Sequence, residues 1–258
     1  MSGKAAIFKR KLYETAICRV PKLYQKYRKI KRKLFQWGKK IGLKQKKSWF
    51  FGKTPEEVIE RLKGYDVISF DVFDTLIFRP YLEAVDLFGE VGRQIEVLEF
   101  QKIRCEMEQK AREEQMKKEG NMEVTLDEIY TMIHKKTGIK EEIKEIELSL
   151  EYQMCFSNPY FRQVVEGLQK EKKRLIIISD MYLNKKQIRQ ILKNAGYKEF
   201  AAYYISSEYR KSKSSGELYQ TVLEKEGANH SFVHIGDNWT ADIKQAQIYG
   251  IDALYYKK

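Results

Sequence analysis

Four short apolar runs, Val67 to Phe70, Leu175 to Ile178, Tyr203 to Ile205 and Phe232 to Ile235, punctuate the chain, and a fifth, Ala253 to Tyr256, closes it. Runs of this length without polar alternation are the mark of strands buried on both faces. Helical patterns separate the later runs, beginning near Asn184, Gly216 and Thr240 and ending by Gly196, Gly227 and Gly250. Strand and helix in alternation predict an α/β fold, a doubly wound and mostly parallel Rossmann-like sheet.

The interval between the first and second runs is far too long for one crossover helix. Residues 82–157 read as several helices, one opening with the capping box Thr125-x-x-Glu128, and form a helical cap inserted after the first strand. Thr54-Pro55-Glu56-Glu57 combines an N-cap hydroxyl, a proline at the first helical position and a following acid, so a helix starts there and stops at Gly64. The expected organisation is an extension over 1–53, a core built from 54–81 and 158–258, and the cap over 82–157.

The formal charge of +13 is concentrated in the extension, where 18 Lys and Arg face the single acid Glu14. From Lys22 to Leu43 the residues Leu23, Tyr27, Ile30, Leu34, Trp37 and Ile41 recur at spacings of four and three, which predicts a basic amphipathic helix. Pro21 separates it from a shorter helix over about 5–19. Such a helix suits an anionic membrane surface or an acidic protein partner; a solvated charged extension is the plain alternative, and nucleic acid ranks last.

Cys18, Cys105 and Cys155 are far apart and show no C-x-x-C spacing, so neither a disulfide framework nor a zinc site is indicated. No apolar run approaches the roughly 20 residues of a membrane span, and no secretory signal is recognisable. The expectation is a cytoplasmic protein, held peripherally at the inner membrane surface if the extension binds lipid.

Chemistry gathers where the strands end. Asp71 and Asp74 follow the first run in the stretch FDVFDTL, Ser179 and Asp180 follow the second, and Gly236-Asp237 follows the fourth with Asp242 five residues on. Lys213 lies in a loop ahead of a helix. The carboxyl ends of parallel strands open onto a shared crevice, so these groups are expected to converge. Together they offer a nucleophile, a hydroxyl, a cation and carboxylates suited to a hard divalent ion. His134, His230 and His234 show no metal-ligand spacing and read as structural.

This ordered set resembles the haloacid dehalogenase superfamily, whose four motifs fall in order on Asp71-Val72-Phe73-Asp74-Thr75, on Ser179 within IIISDMYL, on Lys213 within RKSKSSGELY, and on GDNWTAD from Gly236 to Asp242. The resemblance implies that Asp71 attacks phosphorus to form an aspartyl-phosphate, with Ser179 and Lys213 as further catalytic residues. It implies Mg²⁺ held by Asp71, the Phe73 carbonyl and Asp237, with Asp242 orienting Lys213 or a metal-bound water. Thr75, Ser179, Asp180 and Lys213 would bind the phosphate, and Arg79, Tyr182 and Trp239 stand as candidate substrate contacts. The FDVFDTL variant is similar to proteins of the superfamily associated with bacterial glycosyltransferases, which implies a small phosphorylated substrate such as a sugar phosphate or nucleotide sugar.

Phe73 departs from the pattern. The superfamily's phosphatases carry an acid-base aspartate there, and a positioned acid or base contributes about 10² to 10⁴-fold in rate. Three readings follow: a phosphatase or phosphotransferase that tolerates the missing acid, a catalytically weak binding or regulatory module, and a 2-haloacid dehalogenase-type hydrolase.

Overall fold

The computed structural model describes residues 48–257, so the expected helices before Ser48 lie outside the described residues. Helix α1, Pro55–Leu62, starts at a complete capping box in which Thr54 Oγ1 accepts from the Glu57 amide and the Glu57 carboxylate accepts from the Thr54 amide. Strand β1, Val67–Phe70, follows and is buried throughout. A two-residue strand, β2, Ile77–Phe78, then leads into four helices: α2 Asp86–Gln94, α3 Phe100–Glu119, α4 Leu126–Thr137 and, after a short 3₁₀ turn, α5 Lys144–Met154. Strand β3, Phe156–Ser157, brings the chain back and pairs antiparallel with β2.

Two residues are too few to show a strand pattern in sequence, yet this ladder clamps together both chain ends of the helical insertion. The core resumes with α6 Pro159–Lys170, β4 Arg174–Ser179, α7 Lys185–Asn194, β5 Ala202–Ile205, the single turn α8 Ser206–Tyr209 and α9 Glu217–Glu226. It ends with β6 Phe232–Gly236, a π-helical turn over Trp239–Lys244, α10 Gln245–Ile248 and β7 Asp252–Tyr255. Thr125 heads α4 with the capping box read from the sequence.

The five long strands form one parallel sheet in the order β5-β4-β1-β6-β7. β1 lies at its centre, with Phe70 opposite Ile177 on one side and Ile235 on the other. The chain winds outward to β5 on one side and to β7 on the other, so the crevice at the carboxyl end of β1 is the switch point where α/β sheets place ligands.

The inserted helices are held together by buried ion pairs. Arg104 of α3 is fully buried and donates to both oxygens of Glu147 on α5, at 2.8 and 3.0 Å, and to Glu108 at 2.8 Å. Tyr130 of α4 donates to the same Glu147 at 2.8 Å, and Arg112 donates to Glu108. Every charge in this cluster is matched, as burial demands.

At the opposite margin, the chain entering the core is fastened to β7. The Trp49 amide donates to the Tyr255 carbonyl at 2.8 Å, and Phe50 packs edge-on against Phe161 and Tyr256. Tyr255 is the last residue of β7, so residues 48–50 join the sheet on its carboxyl edge.

Candidate active site

β1 delivers Asp71 to the switch point, and the Asp71 amide still donates to the Ile235 carbonyl at 2.9 Å, extending the β1–β6 pairing by one residue. The chain then reverses sharply. The Leu76 and Ile77 amides both donate to the Val72 carbonyl, and Asp74 takes a left-handed conformation with φ of 63°. The alternation of side chains along a strand ends there, so Asp74 and Phe73 face the same cavity.

Lys213 Nζ donates to Asp71 Oδ1 and to Asp242 Oδ1, at 2.6 Å each, and all three side chains are almost wholly buried. Asp180 sets the loop that carries Lys213: its carboxylate accepts from the Lys213 amide at 2.7 Å and from the Ser214 amide at 3.3 Å. The neighbouring cations point elsewhere, Lys211 to Thr221 Oγ1 and Arg210 to Glu128 on α4. Of these three basic residues, Lys213 alone turns to the acids.

Asp242 is held from every side. Its Oδ2 accepts from the Asn238 amide at 2.8 Å, and the His234 ring lies 3.4 Å from its Oδ1. His234 Nδ1 is 2.8 Å from Ser69 Oγ, which completes a buried file from β1 through β6 to the π-helical turn. The Ser69 hydroxyl also donates to the Val233 carbonyl at 3.1 Å, and burial holds the His234 pKa below the usual range, which favours the neutral ring. Gly236 is required by this approach, because a Cβ there would collide with the Asp242 carboxylate.

Burial pushes the Asp71 carboxyl well above the usual carboxylate range, against the pull of Lys213 and with the help of Asp242 and Asp237. Burial acts on Asp242 in the same sense, but Lys213 and His234 outweigh it and hold that group low. Lys213 stays protonated despite burial because both carboxylates face it.

Asp71, Asp237 and Asp242 each bring a carboxylate oxygen to within 4.8 Å of the others, a set that could hold a metal ion. Three acids against one ammonium leave a deficit that a hard divalent cation fits, and the donors are all oxygen. Both Asp242 oxygens already accept hydrogen bonds, from Lys213 and from the Asn238 amide.

A family model for haloacid dehalogenase-like hydrolases matches residues 65–249, more than half of the chain and the whole of this site. The chain belongs to this family. None of the curated proteins matches it in sequence. Among solved structures it is similar to a haloacid dehalogenase family enzyme from Bacteroides thetaiotaomicron, at 20% identity and a TM-score of 0.55 over 75% of this chain and 94% of that one. It is also similar to a 2-haloacid dehalogenase from Pseudomonas syringae, at 17% identity and 0.54 over 74% and 86%. The L-2-haloacid dehalogenase from Xanthobacter autotrophicus, with chloropropionic acid covalently bound, matches at 12% and 0.52 over 73% and 76%.

In this haloacid dehalogenase-like hydrolase the crevice is a cavity of about 360 Å³. The core contributes Asp71, Phe73, Asp74, Ser179, Lys213 and Asp237, and the inserted helices contribute Val85, Phe88 and Glu108. Arg79 and Tyr182 also line it. Two expected site residues do not. Trp239 is outside the wall, its ring set edge-on against Tyr255 at 5.3 Å. Thr75 is fully buried outside the wall, with no hydrogen-bond partner for its hydroxyl among the described residues. Asp180 lines the cavity, but its oxygens serve the Lys213 loop rather than an anion.

Glu108 and His234 belong to the surroundings of the site, and the sequence did not mark them as such. Glu108 sits four residues from Arg104 and from Arg112, a spacing that announces an ion-pair run on a helix without saying that it faces a cavity.

Proposed function

We propose that the chain is a Mg²⁺-dependent phosphatase or phosphotransferase that acts on a small phosphorylated metabolite through an aspartyl-phosphate on Asp71. The observation that carries this reading is the placement of Lys213 between Asp71 and Asp242 beside Asp237. Asp71 attacks phosphorus, the bond to the leaving oxygen breaks, and water later displaces the aspartate. Lys213 offsets the charge that the nucleophile and the phosphate bring together, and the Ser179 hydroxyl, at the carboxyl end of β4, donates to the phosphoryl group. Asp71, Asp237 and the Phe73 carbonyl are the groups suited to Mg²⁺, which when bound polarises the phosphoryl oxygens. The inserted helices serve as a cap that excludes water.

The fold does not choose between reactions. The Bacteroides enzyme has been captured with magnesium and inorganic phosphate, at 21% identity and a TM-score of 0.51 over 75% of this chain and 95% of that one, whereas the Xanthobacter enzyme carries chloropropionic acid. The acid-rich cluster favours phosphoryl chemistry here, and Phe73 favours the dehalogenase as the second reading. Phosphate release from a panel of esters, acyl phosphates and sugar phosphates with Mg²⁺, against Asp71→Asn, tests the first. Halide release from 2-haloacids in the presence of a chelator, with no phosphate release, would establish the second. Failure of both leaves a binding or regulatory module.

The extension is proposed to hold this cytoplasmic enzyme against an anionic membrane. Its support is the density of Lys and Arg before residue 54 and the fastening of Trp49 to Tyr255, which joins that segment to the edge bearing the site. Full-length protein should co-sediment with anionic vesicles and lose this binding without residues 1–47. Equal binding to neutral vesicles rejects the proposal, and capture by an acidic protein alone would redirect it.

A further inference from the structure

Phe73 occupies the place of a proton carrier, and its ring is covered by a cation. The Arg79 guanidinium lies with its central carbon 3.9 Å from the Phe73 ring centroid. It is fixed from behind: Arg79 Nε and Nη2 donate to both oxygens of Glu151, at 2.6 to 3.1 Å. Glu151 is itself almost fully buried and also accepts from the Cys155 thiol at 3.2 Å. It stands one helical turn beyond Glu147, the carboxylate gripped by Arg104, so the whole support is packed and charge-matched.

Arg79 is thus pre-positioned at low entropic cost. Its Nη1 carries no hydrogen bond among the described residues, while Arg79, Phe73 and Asp71 line the same cavity. A guanidinium does not give up its proton at any working pH, so it cannot replace the missing acid. It can receive negative charge as charge develops, and a fixed cation in a water-poor cavity does this well.

We propose that Arg79 is a catalytic residue whose Nη1 edge binds the departing oxygen, making the enzyme one for acyl phosphates and phosphoanhydrides rather than for phosphate esters of alcohols. The inference rests on the phosphoryl-transfer reading above. As Asp71 forms its bond to phosphorus, the bond from phosphorus to the leaving oxygen breaks and the electron pair stays on that oxygen. No proton is transferred, because a carboxylate or phosphate leaves as a stable anion facing Nη1. Water then attacks the phosphoryl group, Asp71 is released as carboxylate, and the proton of the attacking water passes to inorganic phosphate.

The test compares the wild type, Arg79→Lys and the double variant Arg79→Met/Glu151→Gln on acetyl phosphate, an alkyl phosphate and a series of substituted phenyl phosphates of graded leaving-group acidity. The double variant avoids leaving Glu151 buried and unpaired, which alone could unfold the insertion. Wild type should favour acetyl phosphate over the alkyl ester. The double variant should lose about 10² to 10³-fold in kcat on acetyl phosphate, the scale for loss of one transition-state donor. Its rates should also depend more steeply on leaving-group acidity, with Arg79→Lys in between.

A parallel loss on all substrates, or an unchanged slope, shows that Arg79 only ties the insertion to the core and overturns the assignment. Phosphate release by the wild type no greater than by Asp71→Asn, across the whole series, overturns the phosphoryl reading and this inference with it.

Discussion

The Lys213 ammonium stands 2.6 Å from the Asp71 carboxylate, and both side chains are almost wholly buried at the wall of the cavity. The same ammonium holds Asp242, so one cation balances two buried acids and leaves Asp237 beside them.

Lys213→Met should therefore destabilise the fold by about 3 kcal/mol, the lower end for stripping a partner from a buried pair. On the proposed reading Mg²⁺ would neutralise the same acids, so it should raise the unfolding temperature of both wild type and this variant. At a hundredfold excess over its Kd the gain is about 2.7 kcal/mol. Thermal unfolding with and without Mg²⁺ checks this, and an equal gain in an Asp71→Asn/Asp237→Asn double variant would mean that the ion binds elsewhere.

Gly236→Ala places a methyl group where the Asp242 carboxylate now sits. The carboxylate must move away from Lys213 and from the Asn238 amide. A loss of about 1 to 3 kcal/mol is expected from overpacking alone. Phosphate release should fall more than tenfold, and chemical denaturation together with phosphate assay measures the two effects separately.

Glu108 gives a pH signature. Burial raises its pKa, but Arg112 and Arg104 more than offset that and hold the group below the usual glutamate range. A depressed folded pKa contributes stability that is complete above the unfolded value and vanishes as pH falls through the folded one. Glu108→Gln should cost about 1.5 kcal/mol at pH 7, the lower end for hydrogen bonds to a charged group because this side chain is partly exposed, and the gap between variant and wild type should close as the medium is acidified below the glutamate range. Parallel unfolding curves at both pH values would contradict this.

Arg210 links the loop before Lys213 to the inserted helices, donating to Glu128 at 2.7 and 2.9 Å and to the Glu123 carbonyl at 2.5 Å. The ion pair is partly exposed, so Arg210→Gln should change global stability by about 1 kcal/mol or less. Its effect should appear instead as faster proteolysis of the segment around Asn121 and a raised KM. The Leu126 amide still donates to the Tyr182 carbonyl, which keeps the variant folded.

The sheet was legible because buried parallel strands write themselves as uninterrupted apolar runs. Each of the five expected strands appears within one residue of its sequence limits. The capping boxes at Thr54 and Thr125 were equally plain, since they depend on residues three apart. The β2–β3 ladder was not, because two residues carry no period. The helix near Thr240 hid a π-helical turn over Trp239–Lys244, within which the Asp242 carboxylate accepts from the Asn238 amide.

At the site, the sequence placed Asp71, Ser179 and Asp237 at strand ends, which topology alone carries to one edge, whereas Lys213 and Asp242 reach that edge from a loop and from the π-helical turn. Which of Arg210, Lys211 and Lys213 turns inward depends on Asp180 holding the loop from a different strand end. Phe73 was visible as a missing acid; the guanidinium laid on its ring was not. Local pattern and strand order by themselves determined the α/β class and the edge where the acids gather, while the absence of an acid at Phe73 stood out only against the motif that the chain resembles. The pairing of Arg79 with Phe73, the neutralisation of Glu108 and the exclusion of Thr75 and Trp239 from the wall were decided only by tertiary packing. These depend on contacts between residues distant in sequence, and periodicity carries no record of such contacts.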